Sequence, residues 1–341
     1  MAKTASKTRK YSKDSVKRVK LHKSFRRSYR EDYIRDLETP GLLAHAFATF
    51  RLIFRNKKLF IPLIFLAVFL SIALVGIMSE STYTQFQSIL DQTNAEIAGG
   101  EIGGVAKASL LLISTITTGG LSGTSSESAI IFFILIFLLV WLTTIFLIRH
   151  LLAGHEIKLS NALYNAGGPI IPTFIILAIV FIQCIPLFTL IIVHSSAVTT
   201  GFLDTPFYAL VYFVFALAML ATSGYFLSSS LMALVAVTAP GLYPIRALRA
   251  ASNLMAGRRI KFCIRLIYLF IALIFIWVIV MLPVILLDLW VKHTFEWTAG
   301  FPFVPFMLVV MTCFTIVYIS VYLYIYYRWM LNYDELHKDD K

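Results

Sequence analysis

Ile264 to Leu289 reads IRLIYLFIALIFIWVIVMLPVILLDL, a run whose two charges, Arg265 and Asp288, stand at its ends. A helix that crosses about 30 Å of hydrocarbon needs roughly 20 apolar residues, and this run supplies more. It lacks the period-two alternation of a membrane β-strand. Five further runs of the same kind lie at about 59–78, 129–148, 169–193, 206–237 and 303–327. At 59% hydrophobic and 14% charged residues, with a mean hydropathy of +0.81, the 341-residue chain has too little polar surface to cover a soluble core. The fold class is therefore an all-α integral membrane protein with six transmembrane helices. The runs at 206–237 and 264–289 exceed the bilayer thickness, so those helices tilt or extend beyond it.

Charge orients these spans. Of the 30 Lys and Arg residues, 28 fall on one side; Lys107 and Lys292 alone fall opposite. Basic connections near span ends stay on the cytoplasmic side, so both termini are expected there, in a multi-pass protein of a cell membrane. The first span begins too late in the chain for a cleaved signal peptide and is expected to remain as an anchor. Cys184, Cys263 and Cys313 lie within spans or at their inner edges, as packing thiols.

Two regions are expected: a basic tail at 1–38 and a six-span membrane domain at 39–341. Residues 1–35 carry thirteen Lys and Arg against Asp14, Glu31 and Asp32, a net +10 of the chain's +12. With few apolar residues before Val16, this tail is expected to be largely disordered. Its first expected partner is the anionic head-group layer of the inner leaflet, which attracts about 1 kcal/mol per nearby basic residue. A nucleic-acid backbone attracts such a tail equally, but no aromatic stacking platform accompanies the charges. A third reading gives the tail no task beyond enforcing orientation.

The inner connections repeat. Residues 46–58 (AFATFRLIFRNKK), 160–168 (SNALYNAGG) and 247–259 (ALRAASNLMAGRR) each precede an odd-numbered span, with Asn56, Gly167 and Gly257 aligned as a break. Asn and Gly tolerate the left-handed conformation that closes a helix C-terminus. Outer turns repeat too, at Thr118–Leu121, Thr200–Leu203 and Thr298–Phe301. The architecture read from these is three helical hairpins, each preceded by an amphipathic helix lying in the cytoplasmic interface. Lys57, Lys58, Arg258, Arg259 and Lys261 are the residues expected to touch anionic head groups.

The third inner segment, residues 247–261 running into Phe262–Tyr268, resembles the membrane domain that accompanies some bacterial glycerophosphodiester phosphodiesterases, and related bacterial polytopic families. Residues 55–62 (RNKKLFIP) echo it. The catalytic barrel of those phosphodiesterases has no counterpart here, so the resemblance implies a bacterial membrane protein with a lipid-related or scaffolding task and no phosphodiesterase activity.

Other chemistries fail on spacing. The Thr-Gly turns are too few and mostly too short for a potassium-channel filter. Gly120–Gly123 matches the Gly-x-Ser-Gly of rhomboid proteases, yet Ser122 lies in a polar outer loop and no span contains a His base. His155-Glu156 begins a zincin motif that Leu159 ends. His194, Asp204, Asp288, His293 and Glu296 are scattered at outer span ends, a weak case for a metal. There is no Walker loop, and no catalytic, metal or cofactor residue is expected. No span holds a central ionisable group, which argues against a proton relay. The most polar intramembrane stretch surrounds Ser223, Ser228 and Ser229, read as close packing or, alternatively, a polar path. Tyr318, Tyr322, Tyr324, Tyr326, Tyr327 and Trp329 read as interfacial anchors. The expectation is a non-enzymatic scaffold or accessory factor in lipid handling or envelope maintenance; the alternative is a permease for a small molecule or lipid. Protein partners and a homo-oligomer are left open.

Overall fold

The long apolar runs are helices. A computed structural model describes residues 41–75, 127–155, 157–239, 242–294 and 303–336, all within the unit Arg35–Lys341. The expected tail at 1–38, the long outer loop with Ser122, and the turns at 118–121 and 298–301 lie outside the described residues. Helices α1 (Leu42–Arg55), α2 (Lys57–Leu70, extended by a π turn at Ser71–Val75), α3 (Glu127–Leu152), α4 (Leu159–Ala166) and α5 (Ile170–Gln183) come first. Then follow α6 (Ile185–Thr199), α7 (Pro206–Ala236), α8 (Pro244–Met255), α9 (Arg259–Thr294) and α10 (Phe303–Leu336). Among the described residues there is no strand. Six stretches are long and apolar enough to cross a bilayer: Lys57–Leu74, Ile130–Leu152, Ile170–His194, Pro206–Ala236, Arg259–Asp288 and Phe303–Leu331. The chain is a multi-pass membrane protein.

A short helix precedes each odd-numbered span, as α1, α4 and α8. Each docks through small or β-branched residues on one stripe: Thr49 and Ile53 in α1, Ala162 and Ala166 in α4, Ala247 and Ala251 in α8. A spacing of four keeps such residues on one helix face. The three breaks differ, however. Gly257 takes the left-handed conformation, with φ of 76°. Asn56 has φ of −108° and closes α1 by donating from its side-chain amide to the Leu52 carbonyl at 2.9 Å. Gly167 stays right-handed at φ of −65°. A left-handed turn thus closes one inner helix of the three, and the outer turn at Gly201 uses the same device with φ of 67°.

The last span is the hub. Of its apolar window 67% is buried within the protein, against 6% for each of the third and fourth spans. Helix α10 touches α1, α2, α3, α7 and α9. Its buried Ser and Thr hydroxyls are satisfied along its own backbone: Thr312 to Leu308, Thr315 to Met311 and Ser320 to Ile316, each donating to a carbonyl four residues back at 2.6–2.9 Å. Such back-bonding is how Ser and Thr survive where no water reaches. Trp277 Nε1 of α9 donates across to Thr315 Oγ1 of α10 at 3.0 Å. Four of the five tyrosines read as interfacial anchors are core instead, while Tyr327 and Trp329 are half-buried. Tyr318, Tyr322, Tyr324 and Tyr326 are all buried, because α10 is enclosed at this depth by α1, α3 and α9.

The third span is broken. Pro186 has no N–H to return to the Ile182 carbonyl, so α5 ends at Gln183 and α6 begins at Ile185. The Leu187 amide tightens onto the Cys184 carbonyl at 3.0 Å. That takes it away from the Gln183 carbonyl, which instead receives a hydrogen bond from Ser223 Oγ of α7 at 3.1 Å. Ser223 is thereby a repair for a proline break.

Ser223→Ala should lower stability by about 1–3 kcal/mol, the cost of an unsatisfied buried carbonyl. Ser229→Ala removes only a bond within its own helix, to the Phe226 carbonyl at 2.9 Å, and should change stability by less than about 0.5 kcal/mol. Thermal unfolding of the two variants in detergent checks the difference.

Candidate functional site

The connections rich in Lys and Arg bring together the ends of α1, α3, α7 and α8 and the starts of α2, α5 and α9, at what is here called the basic end. Helix α1 carries three stripes. His45, Thr49 and Ile53 are buried against the bundle. Leu43, Phe47, Phe50 and Phe54, at spacings of four, three and four, are exposed. Arg51 and Arg55 are exposed on a third line, followed by exposed Lys57 and Lys58. A helix that is docked, apolar and basic on separate faces suits a bilayer interface.

The docked face enters a polar–aromatic cluster. His45 Nε2 lies 3.3 Å from the Tyr322 carbonyl, and the two rings meet edge to face at 4.2 Å. Tyr318 donates its hydroxyl to the Ala46 carbonyl at 3.1 Å. Arg265, buried to 2% exposure, lies 5.1 Å from the Tyr326 ring centroid, and Phe262 stacks on the same ring. Since a carbonyl oxygen only accepts, the His45 Nε2 must carry the hydrogen. Burial lowers the His45 pKa to about 4; the bond to Tyr322 opposes this and the positive charge of Arg265 adds to it.

Of the five residues expected at head groups, the structure leaves Lys57, Lys58 and Lys261 exposed. Arg259 is half-buried. Its guanidinium sits 3.7 Å from the Tyr225 ring centroid and donates to the Tyr225 carbonyl at 2.8 Å and to Ser252 at 3.2 Å. Arg258 is a correction: it is 1% exposed, so it is not available to a head group. The reason is helical spacing: Arg258, the residue just before α9, continues the line of Phe262, Arg265 and Leu269 on that helix's buried face.

Ser223, Ser228 and Ser229 are likewise buried, and each donates its hydroxyl to a helix carbonyl at 2.9–3.1 Å. None of them lines the cavity described next. On the opposite side of the bundle, His194 is exposed with its ring 5.6 Å from Tyr212, and Asp288 is buried in α9. The side chains of Asp204, His293 and Glu296 lie outside the described residues. Among the described residues no three His, Cys, Asp or Glu side chains converge.

A cavity of about 660 Å³ opens at the basic end between the end of α3, the α4–α5 turn and the segment after α7. Its walls are mostly apolar, including Leu142, Phe146, Pro172 and Leu242, while Arg149, His150, Asn165 and Thr238 supply polar groups. Arg149 Nη2 donates to Thr238 Oγ1 at 2.6 Å, and Thr238 donates onward to the Val235 carbonyl at 2.8 Å. His150 Nδ1 lies 3.0 Å from the Phe146 carbonyl, so its hydrogen is on Nδ1 and Nε2 is an acceptor. No family model, curated protein or solved structure matches this chain. The site therefore rests on its own geometry. Sequence reasoning passed over this cavity because its walls come from segments up to about a hundred residues apart. The nearest local signal is the pair Arg149-His150 at the end of a span.

His45 binds fewer protons when folded than when unfolded between its lowered value near pH 4 and the ordinary 6.5. Its contribution is thus fully present above about pH 6.5 and declines as pH falls toward 4, by about 3 kcal/mol at most. Unfolding temperature measured against pH should show this decline in the native chain, and His45→Gln should flatten it.

Proposed function

We propose that this protein is a non-catalytic accessory or scaffold factor of the bacterial cytoplasmic membrane that works in lipid handling or envelope maintenance. Its basic end lies against the anionic inner leaflet and both termini are cytoplasmic. The observation that carries the reading is the three-faced α1: one stripe docked, one exposed and apolar, one exposed and basic, leading into Lys57 and Lys58. An apolar stripe on a helix at a span end is stable when acyl chains cover it, and adjacent cations gain from anionic head groups. The start of α9 adds a second such element, with Ile260 (78% exposed) beside exposed Lys261. The resemblance of residues 247–268 to the membrane domain that accompanies some bacterial glycerophosphodiester phosphodiesterases fits the same reading. The buried, hydrogen-bonded serines of α7 lend no support to a permease.

Spin labels in the full chain, reconstituted into anionic liposomes, test this. A label at Phe47→Cys should be accessible to oxygen dissolved in the acyl region, and one at Arg51→Cys to a water-soluble nickel reagent. Equal water accessibility at both positions would remove the interfacial assignment of α1. Lys57→Gln combined with Lys58→Gln should weaken the preference for anionic lipid, and the difference should shrink as salt rises.

A further inference from the structure

We infer that the cavity beside Arg149 is a binding site for a single phosphate-bearing anionic amphiphile, its head at Arg149 and the start of its acyl chain along α3. This rests on the lipid-handling reading and adds to it a site, a ligand class and an orientation.

The walls are graded along the membrane normal. Leu142, Phe146 and Arg149 fall on one stripe of α3, at spacings of four and three. At 1.5 Å per residue they span about 10 Å, from apolar depth to a cation at the span end. The opposite wall runs the same way, from Asn165 through Gly168 to Pro172. Thr238 and His150 stand at the level of Arg149. The polar groups thus gather at one end, beside Leu242 and Tyr243, while the deeper walls at Leu142 and Pro172 are hydrocarbon alone, which matches an amphiphile better than a small polar solute.

Charge selects the head group. Among the described residues no Asp or Glu lines the cavity, so the charge its lining side chains present is the guanidinium's. Thr238 holds Arg149 in place through Nη2. The guanidinium has five N–H donors in a fork that fits phosphate oxygens. In its neutral form His150 adds an acceptor at Nε2 for a head-group hydroxyl. The volume of about 660 Å³ lies within the ~300–1,000 Å³ of small-molecule sites and holds a head group and the upper part of a chain. Beyond Pro172 the same helix exposes Phe174 and Ile175, a surface over which the remaining chain can lie.

The test uses the full chain in detergent, stripped of co-purified lipid and titrated with phosphatidylglycerol, phosphatidylcholine or inorganic phosphate, bound molecules being counted by native mass spectrometry. One phosphatidylglycerol should be retained in preference to phosphatidylcholine. Arg149→Gln should weaken it roughly tenfold or more, as expected for the loss of charge-assisted hydrogen bonds; Arg149→Lys should weaken it less. Gly168→Leu offers a second route, because an added Cβ there meets nothing nearer than the Asn165 carbonyl at 3.8 Å. It should reduce occupancy while leaving the unfolding temperature unchanged.

Equal affinity for the two lipids, or native binding by both Arg149→Gln and Gly168→Leu, would overturn the proposal. Phosphate binding as tightly as phosphatidylglycerol would overturn the amphiphile and leave a phosphate site. The α1 spin labels report independently: Arg149→Gln should not alter them, so the site and the interfacial reading fail separately.

Discussion

Inside a bilayer every polar group must find its partner within the protein, and the last span is where that constraint is most severe. Helix α10 is the most enclosed span, yet it carries Thr312, Thr315, Ser320 and several tyrosines. Its Ser and Thr hydroxyls return to carbonyls one turn back, Trp277 adds a bond from α9, and Tyr318 and Tyr322 reach the backbones of α1 and α9. Because lipid chains are as apolar as leucine, burial alone does not favour contact between helices here. Directional bonds and shape do. Helices α5, α6 and α7, which offer α10 few such partners, sit at the periphery with mostly exposed surfaces.

The same accounting explains the polar oddities of the fourth span. A serine deep in a transmembrane helix invites a pathway reading. Here Ser223 instead serves a carbonyl released by the break before Pro186, two spans meeting through a defect in one and a hydroxyl in the other. Cys263 adds a weaker approach to the Gly224 carbonyl at 3.8 Å. Polarity in this region stitches helices together and stays closed, whereas the open polar groups gather at the basic end.

The spans were legible in the chain to within a few residues, since hydrocarbon thickness admits little freedom in where an apolar run starts and stops. The short helix before each odd span was legible too, through its small residues at spacings of four. Break geometry was less so: Asn56, Gly167 and Gly257 align in sequence, but only Gly257 has its φ inverted. Arg258 was misplaced although the spacing with Phe262 and Arg265 was present, because charge was weighed before periodicity. The tyrosines of α10 were placed by a rule for helices that face lipid, and α10 does not. The cavity needed three dimensions, as neither Arg149, Asn165 nor Thr238 carries any local mark of the others.

One contact ties the two ends of the domain together. His45 and Ala46 meet Tyr322 and Tyr318, residues separated by 277 and 272 positions. During synthesis the first surface helix emerges long before the strand of sequence that will receive it. Until α10 arrives, the imidazole of His45 lacks the Tyr322 carbonyl and ring that enclose it in the folded domain. Completion of the sixth span supplies them, and with them the docked face of α1. The domain thus closes on its own beginning, and a chain truncated before Tyr318 keeps its first five anchors and lacks the clasp.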